Sequence, residues 1–234
     1  MIKTDQPTIF EDKIIAAVSS IEDGAMKIKG NDSRKVHENR RRFLNANNIR
    51  PSQTVLVQMS YETDNFTKYS TVKEANSANE NEIDDYAPND ALATHKKGVA
   101  LFLPIADCVG AILYDSKNEV MMVSHLGRHN IEQYGAEKSI EYMAKEFGSS
   151  AKDILIWMSP AAGKDNYPLY AFDHKSLHEV IKEHFLRVGI LSRNIEVCDI
   201  DTTESDHYHS YSEFVKGNHE DEFGRFAIVA MMPA

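Results

Sequence analysis

Apolar residues fall along this chain in two rhythms. From Leu101 to Asp115 they form an almost continuous run, followed by a Ser116-Lys117-Asn118 turn and a second run from Glu119 to His125. Unbroken apolar runs bounded by turn signals predict strands buried on both faces, and the turn makes these two neighbours. Shorter runs at Ile14–Val18, Thr54–Gln58, Ile154–Met158, Asn194–Asp199 and Phe226–Met231 predict further strands, and Asp90–Thr94 leads through Lys97-Gly98 into the central pair. The other rhythm is helical. Val36, Phe43 and Leu44 recur at helical intervals behind an Asn31-Asp32-Ser33 cap, and Asn45 to Asn48 ends the helix. Ile131, Tyr134, Ile140, Met143 and Phe147 give a second stripe stopped by Gly148, and a third helix is expected from Asp173, as its cap, to Val188 before Gly189. Strands and helices alternate without a regular repeat. The fold class expected is α+β in mixed layers, a central mixed sheet covered by helices, as one domain over residues 1–234.

Composition narrows the function. The chain has 234 residues, 42% of them hydrophobic, enough to bury a sizeable core. Its formal charge of −10 argues against nucleic acid or an anionic membrane as partner. The Arg40-Arg41-Arg42 cluster is the exception, and a solvated helix face is its simplest explanation. No apolar stretch approaches the ~18 residues of a membrane span and Met1 to Pro7 lacks signal-peptide design, so a cytoplasmic location is expected. Two cysteines, Cys108 and Cys198, are too few for a disulfide framework. From Tyr61 to Asn89 the chain turns polar, as a loop or small excursion.

Chemistry concentrates at the ends of the central strands. Adjacent strands carrying Asp107-Cys108 and His125 can bring a thiol and an imidazole together, which suits either a zinc site or a Cys/His nucleophilic site. A half-buried thiol and a strand-capping histidine are the bland alternative. The loop with Asp206, His207, His209 and His219 holds possible ligands, but its acidic surroundings favour a solvated loop. There is no G-x-G-x-x-G, no phosphate loop with Lys-Ser/Thr and no C-x-x-C.

The order of several motifs resembles the laccase-domain family, also called multicopper polyphenol oxidoreductase or YfiH-like, whose members act chiefly as purine nucleoside phosphorylases with adenosine deaminase activity. The matching pieces are Glu38-Asn39-Arg40-Arg41, Asp90-Ala91-Leu92-Ala93-Thr94 with Gly98-Val99-Ala100-Leu101, Ala106-Asp107-Cys108 and Ser124-His125-Leu126-Gly127. Pro160-Ala161-Ala162-Gly163 with Tyr167, Ser210-Tyr211 and Gly224-Arg225 continue them. The resemblance implies a zinc ion held by two histidines and a cysteine beside a nucleoside pocket. Cys108 and His125 match two of those ligands, whereas Ser60 stands where the other histidine belongs. A serine hydroxyl is a poor zinc ligand. Arg128-His129 replaces a Trp-Arg pair, and Ser19-Ser20-Ile21 loses an arginine suited to an anion.

If the segment after His125 is helical, His129 falls on the same face and could join Cys108 and His125 as a third ligand; otherwise it is a pocket residue. The expected roles are therefore Cys108, His125 and Asp107 in catalysis, Asp107 orienting the others, and Arg128, His129, Arg40 and Ser60 in binding a purine nucleoside and phosphate. The alternatives are a metal-free hydrolase with Cys108 activated by His125, or a non-catalytic binding protein. Copper chemistry on phenols needs organised histidine clusters, which the ten histidines do not form in sequence, so copper is not expected.

Overall fold

The computed structural model describes residues 1–28, 30–75, 82–218 and 224–234. In chain order its strands are β1 (Ile15–Val18), β2 (Thr54–Leu56), β3 (Tyr69–Thr71), β4 (Asp84–Asp85), β5 (Ala91–Thr94), β6 (Ala100–Ile105), β7 (Val109–Asp115), β8 (Val120–Leu126), β9 (Ile154–Met158), β10 (Ile195–Val197) and β11 (Phe226–Met231). The helices are α1 (Ser33–Ala46), α2 (Arg128–Glu132), α3 (Gly135–Phe147), α4 (Leu177–Arg187) and α5 (Tyr211–Lys216). The mixed α/β layering is as expected, with the strands divided between two mixed sheets. One has the order β1-β11-β6-β2-β4, the other β10-β9-β7-β8-β5-β3.

Side-chain alternation explains how the layers stack. On β6, Leu101, Leu103 and Ile105 join Ile112, Tyr114, Met121 and Val123 of the second sheet in one core, while Ala100 and Phe102 face Phe43 and Leu44 of α1 in another. On β7, Ala111 and Leu113 turn the other way, onto Ile140 and Met143 of α3 and Val180 and Phe185 of α4. Each sheet is thus apolar on both faces. The run that reads as continuous from Leu101 to Asp115 crosses from one sheet to the other at Ala106-Asp107-Cys108. Pro104 is tolerated in β6 because β2 pairs only as far as Phe102 and leaves position 104 no ladder partner on that side.

Three helix expectations change. The stretch from Ile131 to Phe147 begins earlier, as α2, and breaks where Tyr134 takes a left-handed φ of 61° before α3. Helix α4 starts at Leu177 rather than near Asp173, because Ser176 and Glu179 form a reciprocal capping box and Asp173 and His174 are both left-handed. In α1 the basic triplet is not one solvated face. Arg41 and Arg42 are exposed, but Arg40 is 5% exposed, in register with buried Val36 and Leu44. No helix of the described residues is long and apolar enough to cross a membrane.

Candidate functional site

The sheet-to-sheet corner builds the floor of the site. Asp107 holds a left-handed φ of 66° there, a conformation Asp tolerates better than most residues. Its buried carboxylate accepts a hydrogen bond from Thr202 Oγ1 at 2.8 Å and one from the Ser212 backbone N–H at 2.7 Å, and its carbonyl accepts one from Ala162 at 2.9 Å. Three distant segments are therefore tied to the residue beside Cys108. Strands β7 and β8 pair antiparallel with Gly110 opposite His125, as the two-strand expectation required. The thiol and imidazole converge over Gly127: a Cβ placed there would lie 2.8 Å from Cys108 Sγ and 3.1 Å from His125 Nε2. Only glycine leaves room.

Burial keeps this pair uncharged. It pushes the Cys108 thiol up to about 12, with the Asp107 carboxylate adding to the shift and Arg225 and Arg128 offsetting part of it. It pulls His125 down to about 4, with Lys27 contributing. At neutral pH the pair on the floor is a thiol beside a neutral imidazole whose buried Nδ1 has no hydrogen-bond partner among the described residues. A preformed thiolate–imidazolium pair is not what this environment favours.

Above the floor is a cavity of about 360 Å³. Three cations reach it, Lys27, Arg128 and Arg225, in a chain of net charge −10. Arg128 lies 5.8 Å from the ring centre of Tyr167, and Arg225 lies 4.9 Å from that of Tyr211; all four residues line the cavity. One wall is Phe66 stacked on His129, ring centres 4.9 Å apart. Phe66 is gripped through its backbone: Asn130 Nδ2 donates to its carbonyl at 2.6 Å and its N–H donates to Gln133 Oε1 at 2.9 Å. Gln133 also donates to the Asp64 carbonyl. Part of the polar Tyr61–Asn89 stretch is thus cavity wall.

The structure gathers Cys108, Asp107, His125, Arg128 and His129 around this cavity, and places Arg40 and Ser60 on a neighbouring one. His125 and His129 do not share a helix face, because His125 lies in β8 and Gly127 is extended at φ −102° and ψ 176°. His129 instead stacks on Phe66, with Nδ1 3.7 Å from Glu132. The Ser60 hydroxyl accepts from the Glu62 backbone N–H. No three His, Cys, Asp or Glu side chains among the described residues form a metal-holding group. Cys108 and His125 are two donors, short of the three protein ligands of a catalytic zinc site. In the His-rich loop, His207 is exposed, while His209 is buried against Gly224 rather than solvated, and His219 lies outside the described residues. Sequence reasoning had not assigned Lys27, Tyr61, Phe66, Asn130 or Ser212 to the site, and nothing in their local pattern marks them. Tyr167, Tyr211 and Arg225 carried a signal, since each lies in a matched motif.

The sequence profile described as multi-copper polyphenol oxidoreductase laccase matches residues 23–172, and the chain belongs to that family. It is 24% identical over 197 residues to a purine nucleoside phosphorylase of Bacteroides thetaiotaomicron, covering 74% of this chain and 72% of the relative. Over 90 residues, 38% of this chain and 37% of the relative, it is 33% identical to a purine nucleoside phosphorylase of Clostridium acetobutylicum. The fold is that of YlmD from Geobacillus stearothermophilus, with a TM-score of 0.83 at 16% identity, covering 100% of this chain and 98% of that one. It is equally that of YfiH from Bacillus licheniformis, with a TM-score of 0.81 at 17% identity over 94% and 93% of the two chains.

Proposed function

We propose that this chain is a purine nucleoside phosphorylase and that the 360 Å³ cavity is its active site. The observation that carries the proposal is the union of three cations with aromatic walls over an uncharged Cys108–His125 pair. Relatives named purine nucleoside phosphorylase support the reaction class. Arg128 and Arg225, each braced on a tyrosine, bind phosphate; the Phe66–His129 wall, with Tyr61, packs on the base or ribose. A phosphate oxygen then bonds to C1′ of the ribose while the C1′–N9 bond breaks, its electron pair leaving with the base, which takes up a proton. The arginines stabilise the anionic nucleophile in place, and the enclosed rings limit competing water. In this assignment the site works on arginine charge rather than on a zinc-bound water, since it offers two donors. Deamination, which needs an activated water, and a Cys108 hydrolase, which needs a thiolate, fit it less well.

The test is base release from inosine and adenosine with and without phosphate, followed by chromatography. Release that requires phosphate, survives a chelator and shows a KM for phosphate raised about ten-fold or more in Arg128→Gln is the expected result; about ten-fold equals the loss of one modest charge-assisted hydrogen bond. Release without phosphate, conversion of adenosine to inosine alone, or zinc-restored activity after chelation would each overturn the corresponding part.

A further inference from the structure

The second cavity, of about 460 Å³, meets the first along Lys27, Met59, Tyr61 and Pro104. Arg40 reaches it from α1, at a position where the helix otherwise buries apolar side chains. The guanidinium lies 5.7 Å from the ring centre of Phe102, and its Nε donates to the Met26 carbonyl at 2.8 Å. Among the described residues that is its sole hydrogen bond, and no carboxylate forms an ion pair with it. A guanidinium carries five N–H donors, so those on its terminal nitrogens are unspent. A cation this buried is costly unless an anion or further acceptors complete it. Burial lowers its pKa to about 10, with Asp85 opposing the shift, so it stays charged at neutral pH. Asp85 and Glu62 also line the cavity, but both are exposed, where water screens them. Lys27 adds a second cation at the boundary between the two cavities.

We propose that the Arg40 cavity receives a phosphate ester carried by the ligand of the first cavity, which makes the substrate a purine nucleoside 5′-monophosphate. This rests on the phosphorolytic assignment of the first cavity. The chemistry favours the 5′ position: C1′ must face the attacking phosphate, and the C5′ substituent leaves the furanose ring from its far side, toward the neighbouring space. Bond changes are those of the nucleoside reaction, with C1′–O formed and C1′–N9 broken, and the sugar product is a 1,5-bisphosphate. The two anions occupy separate cation sets, Arg128 with Arg225 and Arg40 with Lys27.

Calorimetric titration of the full chain in phosphate-free buffer with inosine, inosine 5′-monophosphate and inorganic phosphate tests this. The monophosphate is expected to bind at least about ten-fold tighter than inosine, the increment of one charge-assisted contact. Arg40→Gln should erase that preference and leave inosine affinity in place. Arg40→Lys, which keeps the charge, should retain part of it. Arg128→Gln should weaken inorganic phosphate and leave the preference. Because Arg40 also braces Met26 and Phe102, Lys27→Gln is a second probe that spares that packing and should cut the preference several-fold. Equal affinity of the wild type for the two ligands, or a preference that survives both Arg40→Gln and Lys27→Gln, overturns the inference while leaving the first cavity's assignment standing. Failure of the wild type to bind either purine ligand overturns both.

Discussion

The floor and the wall of the first cavity are held by different means. Cys108 and His125 are set by backbone: by the β7–β8 ladder, by the Asp107 corner with its three long-range hydrogen bonds, and by a glycine with no space above it. Phe66 is set by two amide side chains, Asn130 and Gln133, acting on one loop residue. A position fixed by many cooperative contacts resists sequence change, whereas one fixed by two side chains can be reset by two substitutions. The floor is therefore the harder of the two to alter by substitution, and the wall the easier.

Substitution can break that contrast. Asp107→Ala should have the largest effect, about 4 kcal/mol, because it strands two donors together with a corner conformation alanine disfavours. Urea denaturation measures it, and Asp107→Asn, which can still accept from Ser212 and donate to Thr202, should lose much less. A loss from Asp107→Ala below about 1 kcal/mol would mean that the corner is not the anchor.

Next comes pH. His125 is held neutral by burial, with its folded pKa near 4 below the ordinary histidine value of 6.5, so the unfolded state binds the extra proton between those values. Stability from this group is whole above pH 6.5 and falls on acidification toward pH 4, by about 3 kcal/mol in metal-free protein. Subtracting the curve of His125→Gln isolates it from other buried histidines; identical slopes would show that His125 is not desolvated.

Gly127→Ala, which forces a methyl against Cys108 Sγ and His125, should cost about 2 kcal/mol and at least about a hundred-fold in turnover, by shifting the floor and with it the adjoining Arg128. The wall should yield least. Asn130→Ala is expected to cost about 1 kcal/mol and to raise the nucleoside KM several-fold with kcat nearly unchanged. A kcat loss as large as that of Gly127→Ala would erase the distinction between floor and wall.

Legibility in sequence followed the same division. The apolar runs that carry Cys108 and His125 were readable, because burial on two faces leaves few polar positions to confuse the pattern. The sheet change at Asp107 was not, since periodicity reports that a strand is buried without saying in which sheet. Arg40 was misplaced in part because a basic triplet looks solvated; its register with Val36 and Leu44 held the contrary signal. Ser176 and Glu179 spelled out the true start of α4, yet Asp173 is an equally good cap residue by type. Phe66 lies between Tyr61 and Tyr69 in a polar stretch, and three aromatics spaced by five and three residues fit neither the strand period nor a sustained helical one. The wall it forms depends on side chains from α2, distant in sequence.

Strand β11 lies between β1 and β6 in the first sheet. A chain emerging from the ribosome as far as Asp199 has every strand of the second sheet but a first sheet with an empty lane through its middle. Until Phe226 to Met231 arrives, β1 has no neighbour among the described strands, and the long-range pairing that closes that sheet is the slow kind. Thr202, Ser212 and Arg225 emerge in the same interval, so one stretch of chain both closes the first sheet and completes the hydrogen bonds and lining of the cavity.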